Sequence, residues 1–175
     1  MAGNCKHLMI LLLYLSSFSC QNKTTKVQLG NKLISENLNV LLDDLKYFST
    51  SDEHLSVGVY QYIGINKSDQ EIATRKFENK FGLTDEKIFK EPIKLEKLPE
   101  SINHYPTFLD TDHSFQKKDN VIKVSFVNLI ISNNNQYAAI EVIKSFGHGA
   151  KLELYYFKQV DGKWVFDSKE VLALG

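Results

Sequence analysis

The last third of the chain constrains the fold most. Four runs, "VIKVSFVNLIIS", "QYAAIEVIKSF", "KLELYYFKQV" and "KWVFDSKEVLAL", fill Val121–Leu174 with β-branched and aromatic residues. The connectors between them are "NNN", "GHGA" and "DG". Strand formers separated by such short turn-forming connectors predict a four-strand antiparallel meander. The final turn sets the faces. As a plain two-residue loop, Asp161–Gly162 puts Tyr156 opposite Asp167 and Leu154 opposite Lys169. If Gly162 instead holds the left-handed position of a bulged three-residue loop, the pairing moves by one. Leu152, Leu154 and Tyr156 then share a face with Trp164 and Phe166. A slip of one residue exchanges the faces of every side chain, so apolar matching favours the bulged loop. Tyr155 and Phe157 fall on the opposite face from Tyr156, and the sheet is then covered or used on both sides.

A sheet with an apolar face must be covered. The segment "NKLISENLNVLLDDLKYFST" supplies a cover: Ile34, Leu38, Leu41, Leu42, Leu45 and Phe48 form one stripe at the helical period. Asn31 reads as its cap and Gly30 as its boundary. Asn37, Asp43, Asp44 and Lys46 read as its watered side. "LSVGVYQYIGI" alternates and reads as a strand with one half-buried face. "SDQEIATRKFENKFG" reads as a helix over a competing strand. Ser68 and Glu71 offer a capping box, Ala73, Phe77 and Phe81 step by four, and Gly82 closes it. Leu83–Asn120 holds all three prolines and is interrupted, with "PIKLEKL" as a candidate edge strand. The expected fold class is α+β: an N-terminal helix, Leu33–Phe48, packed on an antiparallel sheet with a C-terminal four-strand meander.

Composition bears on function at two points. Lys+Arg and Asp+Glu balance at 21 each, which argues against a nucleic-acid partner. At the other end of the chain, Lys6 and His7 precede the apolar run "LMILLLYL", roughly half of the ~20 residues a membrane-crossing helix needs. Such a run reads as a secretory signal, to be left out of the fold. Ser17 and Ser19 stand in a small-x-small arrangement before Cys20, and "QNKTTKVQLGN" then turns polar at once.

The segment "SSFSC" after that apolar run resembles the signal peptides of bacterial lipoproteins, and its relaxed form is similar to those of Bacteroidetes. Ser17 stands where leucine is usual in that family. The resemblance covers residues 1–20. It implies cleavage before Cys20 and attachment of diacylglycerol and acyl chains such as palmitate to that residue. Plain secretion with cleavage at the same bond is the alternative. The implied organisation is a signal over 1–19, a lipid-anchored tether over 20–31 and one α+β domain over 32–175. Cys5 would leave with the signal and Cys20 would become a thioether, so no thiol would remain for a disulfide, a nucleophile or a thiolate metal site. Family members displayed on the cell surface carry an acidic stretch after the cysteine. "QNKTTK" has none, which implies an outer-membrane protein facing the periplasm. At the other terminus, "YYFKQVDGKWVF" is similar to the terminal hairpin of cystatin-like and nuclear-transport-factor-2-like domains, folds that host ligand binders, non-catalytic subunits and a few enzymes.

Three groups of residues carry candidate chemistry. "HYPTFLDTDH" brings His104, Asp110, Asp112 and His113 close in sequence, all metal-ligating types, though at no standard ligand spacing. A polar loop after Pro106 explains the same letters. His148 lies between two glycines, either exposed for proton transfer or simply solvated in a hairpin turn. Tyr155 and Phe157, with Tyr137, Tyr156, Trp164 and Phe166, form either a binding platform or core. No Gly-rich phosphate loop, G-x-S-x-G, H-E-x-x-H or EF-hand pattern is present. The expected function is a non-catalytic, lipid-anchored binding or interaction module of the cell envelope without a cofactor. It would meet the membrane through its anchor and an unidentified protein or small molecule through its surface. The rivals are an envelope hydrolase or isomerase using a His/Asp pocket, and an inhibitor or immunity-type protein.

Overall fold

The structure, a computed structural model of the chain, describes residues 25–48, 54–111 and 120–175. The signal segment, Cys20, Asp112 and His113 lie outside them. The described residues form two α-helices, a short 3₁₀ turn and a mixed seven-stranded sheet. No helix among them is long and apolar enough to cross a membrane. The elements are α1 (Lys26–Leu41), β1 (Ser56–Tyr60), α2 (Gln70–Phe81), β2 (Ser101–Ile102), β3 (Tyr105–Asp110), β4 (Val121–Ile131), β5 (Tyr137–Phe146), β6 (Gly149–Val160) and β7 (Lys163–Leu174). Their order across the sheet is β2-β3-β1-β4-β5-β6-β7.

The first helix starts earlier than its apolar stripe indicates. Thr25 is the cap: its hydroxyl accepts from the Gln28 amide at 3.2 Å, and the Gln28 side chain accepts from the Thr25 amide at 2.9 Å. The stretch expected to be tether is therefore helical from Lys26. Gly30, read as a boundary, is a buried packing glycine, because a Cβ there would come within 2.5 Å of Ile93 Cδ1 and 2.7 Å of Leu129 Cδ2. Leu29, Leu33, Ile34 and Leu41 bury the helix against one sheet face. Asn37 does not face water. It is buried with non-helical angles, and its amide donates to the carbonyls of Leu33 at 3.0 Å and Trp164 at 3.1 Å. That side chain ties the kink in α1 to β7. The helix stops at Leu41, and a turn carries the chain to the 3₁₀ segment Leu45–Phe48.

α2 forms as a helix, and Gly82, in the left-handed conformation at φ 65°, closes it with its amide on the Glu78 carbonyl. The Ser68–Glu71 capping box does not form. Asp69 is the cap residue, and the Ser68 hydroxyl donates instead to Asn66 Oδ1 at 2.7 Å.

The expectation of an antiparallel sheet is corrected. β1 pairs in parallel with β3 on one side and β4 on the other. Parallel neighbours require a crossover, and α2 with the irregular segment after it supplies one between β1 and β3. Val57, Gly58 and Val59 are all buried, as befits a parallel strand covered on both faces rather than one. "PIKLEKL" adds no regular strand. It contributes a single bridge, Lys94 to Tyr62, while β2 and β3 form further on.

Each of the last four strands pairs antiparallel with the next. The β6–β7 turn is the plain two-residue loop. Val160 pairs with Lys163, and Asp161 and Gly162 both have positive φ, at 48° and 73°, the signature of a type I′ turn. The bulge expected in the turn lies further along β7. Phe157 pairs with Phe166 but Tyr156 pairs with Ser168, so Asp167 is the extra residue, and a second shift makes Leu172 another. Trp164 consequently sits with Tyr155 and Phe157 in the larger core under α1. Leu154 and Tyr156 join Ala73, Phe77, Ile130 and Ala139 in a smaller core under α2. Both sheet faces are covered.

Candidate functional site

The change from parallel to irregular pairing beside β1 opens the most site-like feature. Val59 pairs with Val124, and the next contact between these segments is Gly64 with Val127. Over that interval the first segment advances five residues and the second only three. The excess chain must leave the plane, and the two segments part. A cavity of about 450 Å³ fills the parting, within the size range of small-molecule sites. Tyr60, Gln61 and Tyr62 form one wall, Ser125, Phe126 and Val127 the other, and Asp110 and Thr111 close it from β3. These positions lie at the carboxyl end of β1 and β3, the end at which open parallel sheets characteristically hold ligands. Asp110 is 4% exposed, while Tyr62 is 53% exposed at the mouth. Tyr60 is the register partner of Asp110, and its phenol is pushed above its ordinary pKa by burial and by the Asp110 charge.

One rim of this cavity is locked by Asn128. That residue sits in the β4 bulge with φ 50°. Its backbone amide donates to the Gly64 carbonyl at 3.1 Å. Its side chain accepts from the Asn66 amide at 2.9 Å and donates to the Asn66 carbonyl at 3.0 Å. The same Nδ2 donates to Glu141 Oε2 at 2.7 Å. Glu141 has no exposed surface, and its other oxygen has no hydrogen-bond partner among the described residues. Burial first, and then the charge of Asp69, push its carboxyl up to about 7, with the Asn128 bond pulling the other way.

A second polar cluster joins the turn after α1 to β5, β6 and β7 on the opposite sheet face. Lys144, with no exposed surface, donates to Glu153 Oε2 at 2.9 Å, to the Tyr155 hydroxyl at 2.8 Å and to the Asp43 carbonyl at 2.8 Å. The Tyr155 hydroxyl donates to Asp43 Oδ1 at 2.5 Å. Lys151 and Lys169 each lie 3.0 Å from Glu153 Oε1, and Lys169 also binds Asp43 and Asp44. Burial alone would raise Glu153, but the ammonium groups around it outweigh burial and hold its carboxyl at about 2. Oxygens of Asp43, Asp44 and Glu153 converge within 4.8 Å, a spacing suited to a metal ion. Three lysines already neutralise the three carboxylates, so a cation entering here would have to displace them. The cluster binds the turn after α1 to the sheet.

The residues singled out from sequence separate accordingly. Asp110 lines the parting. His104 is exposed in the turn between β2 and β3, at φ 74°. The six residues of β3 hold it roughly 17–20 Å from Asp110, so the two do not form one site. His148 is exposed in the two-residue turn between Phe146 and Gly149. Tyr155 and Phe157, candidates for a binding platform, are fully buried, because α1 covers their face. Sequence reasoning missed Tyr60, Tyr62, Glu141, Lys144 and Glu153. The last three were visible as charges inside "AAIEVIKSF" and "LELYYF", and strand parity turns each toward a buried face. Comparison with protein-family models, curated proteins and solved structures returned no match to this chain.

Proposed function

We propose that this chain is a lipid-anchored protein of the cell envelope, facing the periplasm, that acts as a non-catalytic binding module with its ligand seat in the parting between β1 and β4. The anchor rests on the small residues before Cys20. The seat rests on one observation: the uneven advance of the two segments between their consecutive contacts, which leaves a cavity where a regular sheet would have none. The finer architecture belongs to the same reading, as an N-terminal helix laid on a C-terminal four-strand meander. It is supported by three consecutive antiparallel pairings and by the Trp164 indole donating to the Leu29 carbonyl at 3.1 Å.

Two measurements test the proposal. Mass spectrometry of the mature N-terminus is expected to find an acylated Cys20, and an unmodified cysteine in a soluble fraction would remove the anchor. A small-molecule fragment screen read by amide NMR shifts is expected to produce hits that move residues 60–64 and 125–127 together. Hits confined to other surfaces would remove the seat.

A further inference from the structure

We propose that Glu141 is a proton-operated latch on residues 64–69, the strap that leads from β1 into α2. The strap lies closed on β4 while the carboxyl holds its proton, and it is released when the proton leaves to bulk water.

The strap is tied to β4 through its backbone. The Gly64 amide donates to the Phe126 carbonyl at 2.9 Å. Asn128 then takes the Gly64 carbonyl with its backbone amide, and both backbone groups of Asn66 with its side chain. Asn66 in turn donates from its side chain to Asp69, the cap residue of α2. The side-chain amide of Asn128 carries two hydrogens, one given to Asn66 and the other to Glu141. Glu141 therefore sets the direction in which Asn128 holds the strap. Gly64 lines the cavity between β1 and β4, and so does Val127, the register partner of Glu141. A latch here governs the width of that cavity, whatever occupies it.

Protonated, the Glu141 carboxyl is neutral, and its Oε2 accepts from Asn128. Ionised, it is a charge without exposed surface. The Asp69 carboxylate also repels it from the strap. Water reaching Glu141, or Asp69 moving away from it, relieves both costs. Either change lifts the strap, because Asn66 and Asp69 are bonded to each other. The register puts further charged and titratable groups on this sheet face. Among the described residues they are Lys123 on β4, Tyr60 on β1, Asp110 on β3, Tyr156 on β6 and Glu170 on β7. α2 brings Lys76, which pairs with Glu170, and Lys80, which shares Asp167 with Lys158. In this setting the Glu141 carboxyl rises from 4.5 to about 7: burial is the largest cause, the Asn128 bond opposes it, and Asp69 adds to it. The proton is kept below pH 7 and lost above it, so rising pH opens the strap.

The test reads amide hydrogen exchange of the full chain in neutral detergent from pH 5 to pH 8. Each rate is divided by the intrinsic rate of the free peptide at that pH. The Gly64 and Asn66 amides are expected to lose about tenfold in protection between pH 6 and pH 8, the linkage of a single proton. They should stay less protected than Val142 in the middle of β5, since the strap opens without the sheet. Glu141→Gln is expected to hold their protection constant within about twofold, and Asp69→Asn to lower the midpoint. In the parent, the carbon-13 shift of the Glu141 carboxyl is expected to titrate with the same midpoint, a readout that needs no variant. A carboxyl titrating below about 5 would overturn the latch. So would Gly64 and Asn66 exchanging in step with Val142 at every pH, or Glu141→Gln keeping the parent's pH dependence. The strap is read without a ligand, so the outcome is independent of whether the cavity binds one.

Discussion

Glu153 and Glu141 are two carboxylates without exposed surface, on adjacent strands of one sheet and on opposite faces, and the fold treats them in opposite ways. Glu153 meets three lysines and is held ionised at about 2. Glu141 meets one amide and the charge of Asp69, and its carboxyl rises to about 7. Burial is equal, so burial does not decide the charge state. The number of donors brought to the carboxylate does. The first cluster fastens the turn after α1 to the sheet. The second leaves a proton balanced near neutrality beside the rim of the cavity between β1 and β4.

The largest effect is expected where a buried charge loses its partner. Lys144→Met should destabilise the fold by about 3–5 kcal/mol in urea unfolding at pH 7, because Glu153 and Asp43 lose a fully buried ammonium. A loss below about 1 kcal/mol would show that Lys151 and Lys169 suffice, and the contrast with Glu141 would weaken. Next comes Glu141→Gln. A carboxyl raised from 4.5 to about 7 contributes stability that is complete below 4.5 and is lost as pH rises through 7. The variant should therefore be more stable than the parent at pH 8, by on the order of 2–3 kcal/mol, and should lose the slope between pH 5 and 8. An unchanged slope would break the comparison.

Glu153 carries the opposite sign. Lowered from 4.5 to about 2, it contributes stability that is present above 4.5 and lost as pH falls through 2. Unfolding at fixed urea should thus be most resisted near pH 4.5–5, and Glu153→Gln should flatten the acid limb by roughly 2 kcal/mol. The smallest effect is expected for a pair near water. Lys76→Ala removes an ion pair with Glu170 whose side chains are 39% and 41% exposed, and should cost less than about 1 kcal/mol and fade with added salt.

What the sequence disclosed follows from how local each signal is. The stripe of α1, the closure of α2 at Gly82 and the strand character of residues 121–174 are written in neighbours a few residues apart. The start of α1 was also written, as Thr25 and Gln28 at capping-box spacing, but Gly30 hid it, since a glycine chosen for close packing has the same letter as one chosen for a boundary. The orientation of β1 was not legible. Its partners are residues 107–110 and 121–124, and no local pattern states whether they run alongside or against it. The site shared this fate. Asp110 could be picked out by residue type, but Tyr60 and Tyr62 come to face Ser125 across a cavity only through that long-range pairing. Lys144 and Glu153 were passed over because charges are ordinarily outside. Here three lysines, two aspartates, a glutamate and a tyrosine had to be assembled from four elements before any of them could be buried.

β7 is the outermost described strand on its side of the sheet, and an open rim of amides and carbonyls is a template on which further chains can stack into fibrils. The extra residues at Asp167 and Leu172 chop that rim into the short regular stretches Lys163–Phe166 and Ser168–Val171. A visiting strand of even spacing falls out of step after about four residues. Crowded side by side, such molecules can jostle without zipping together.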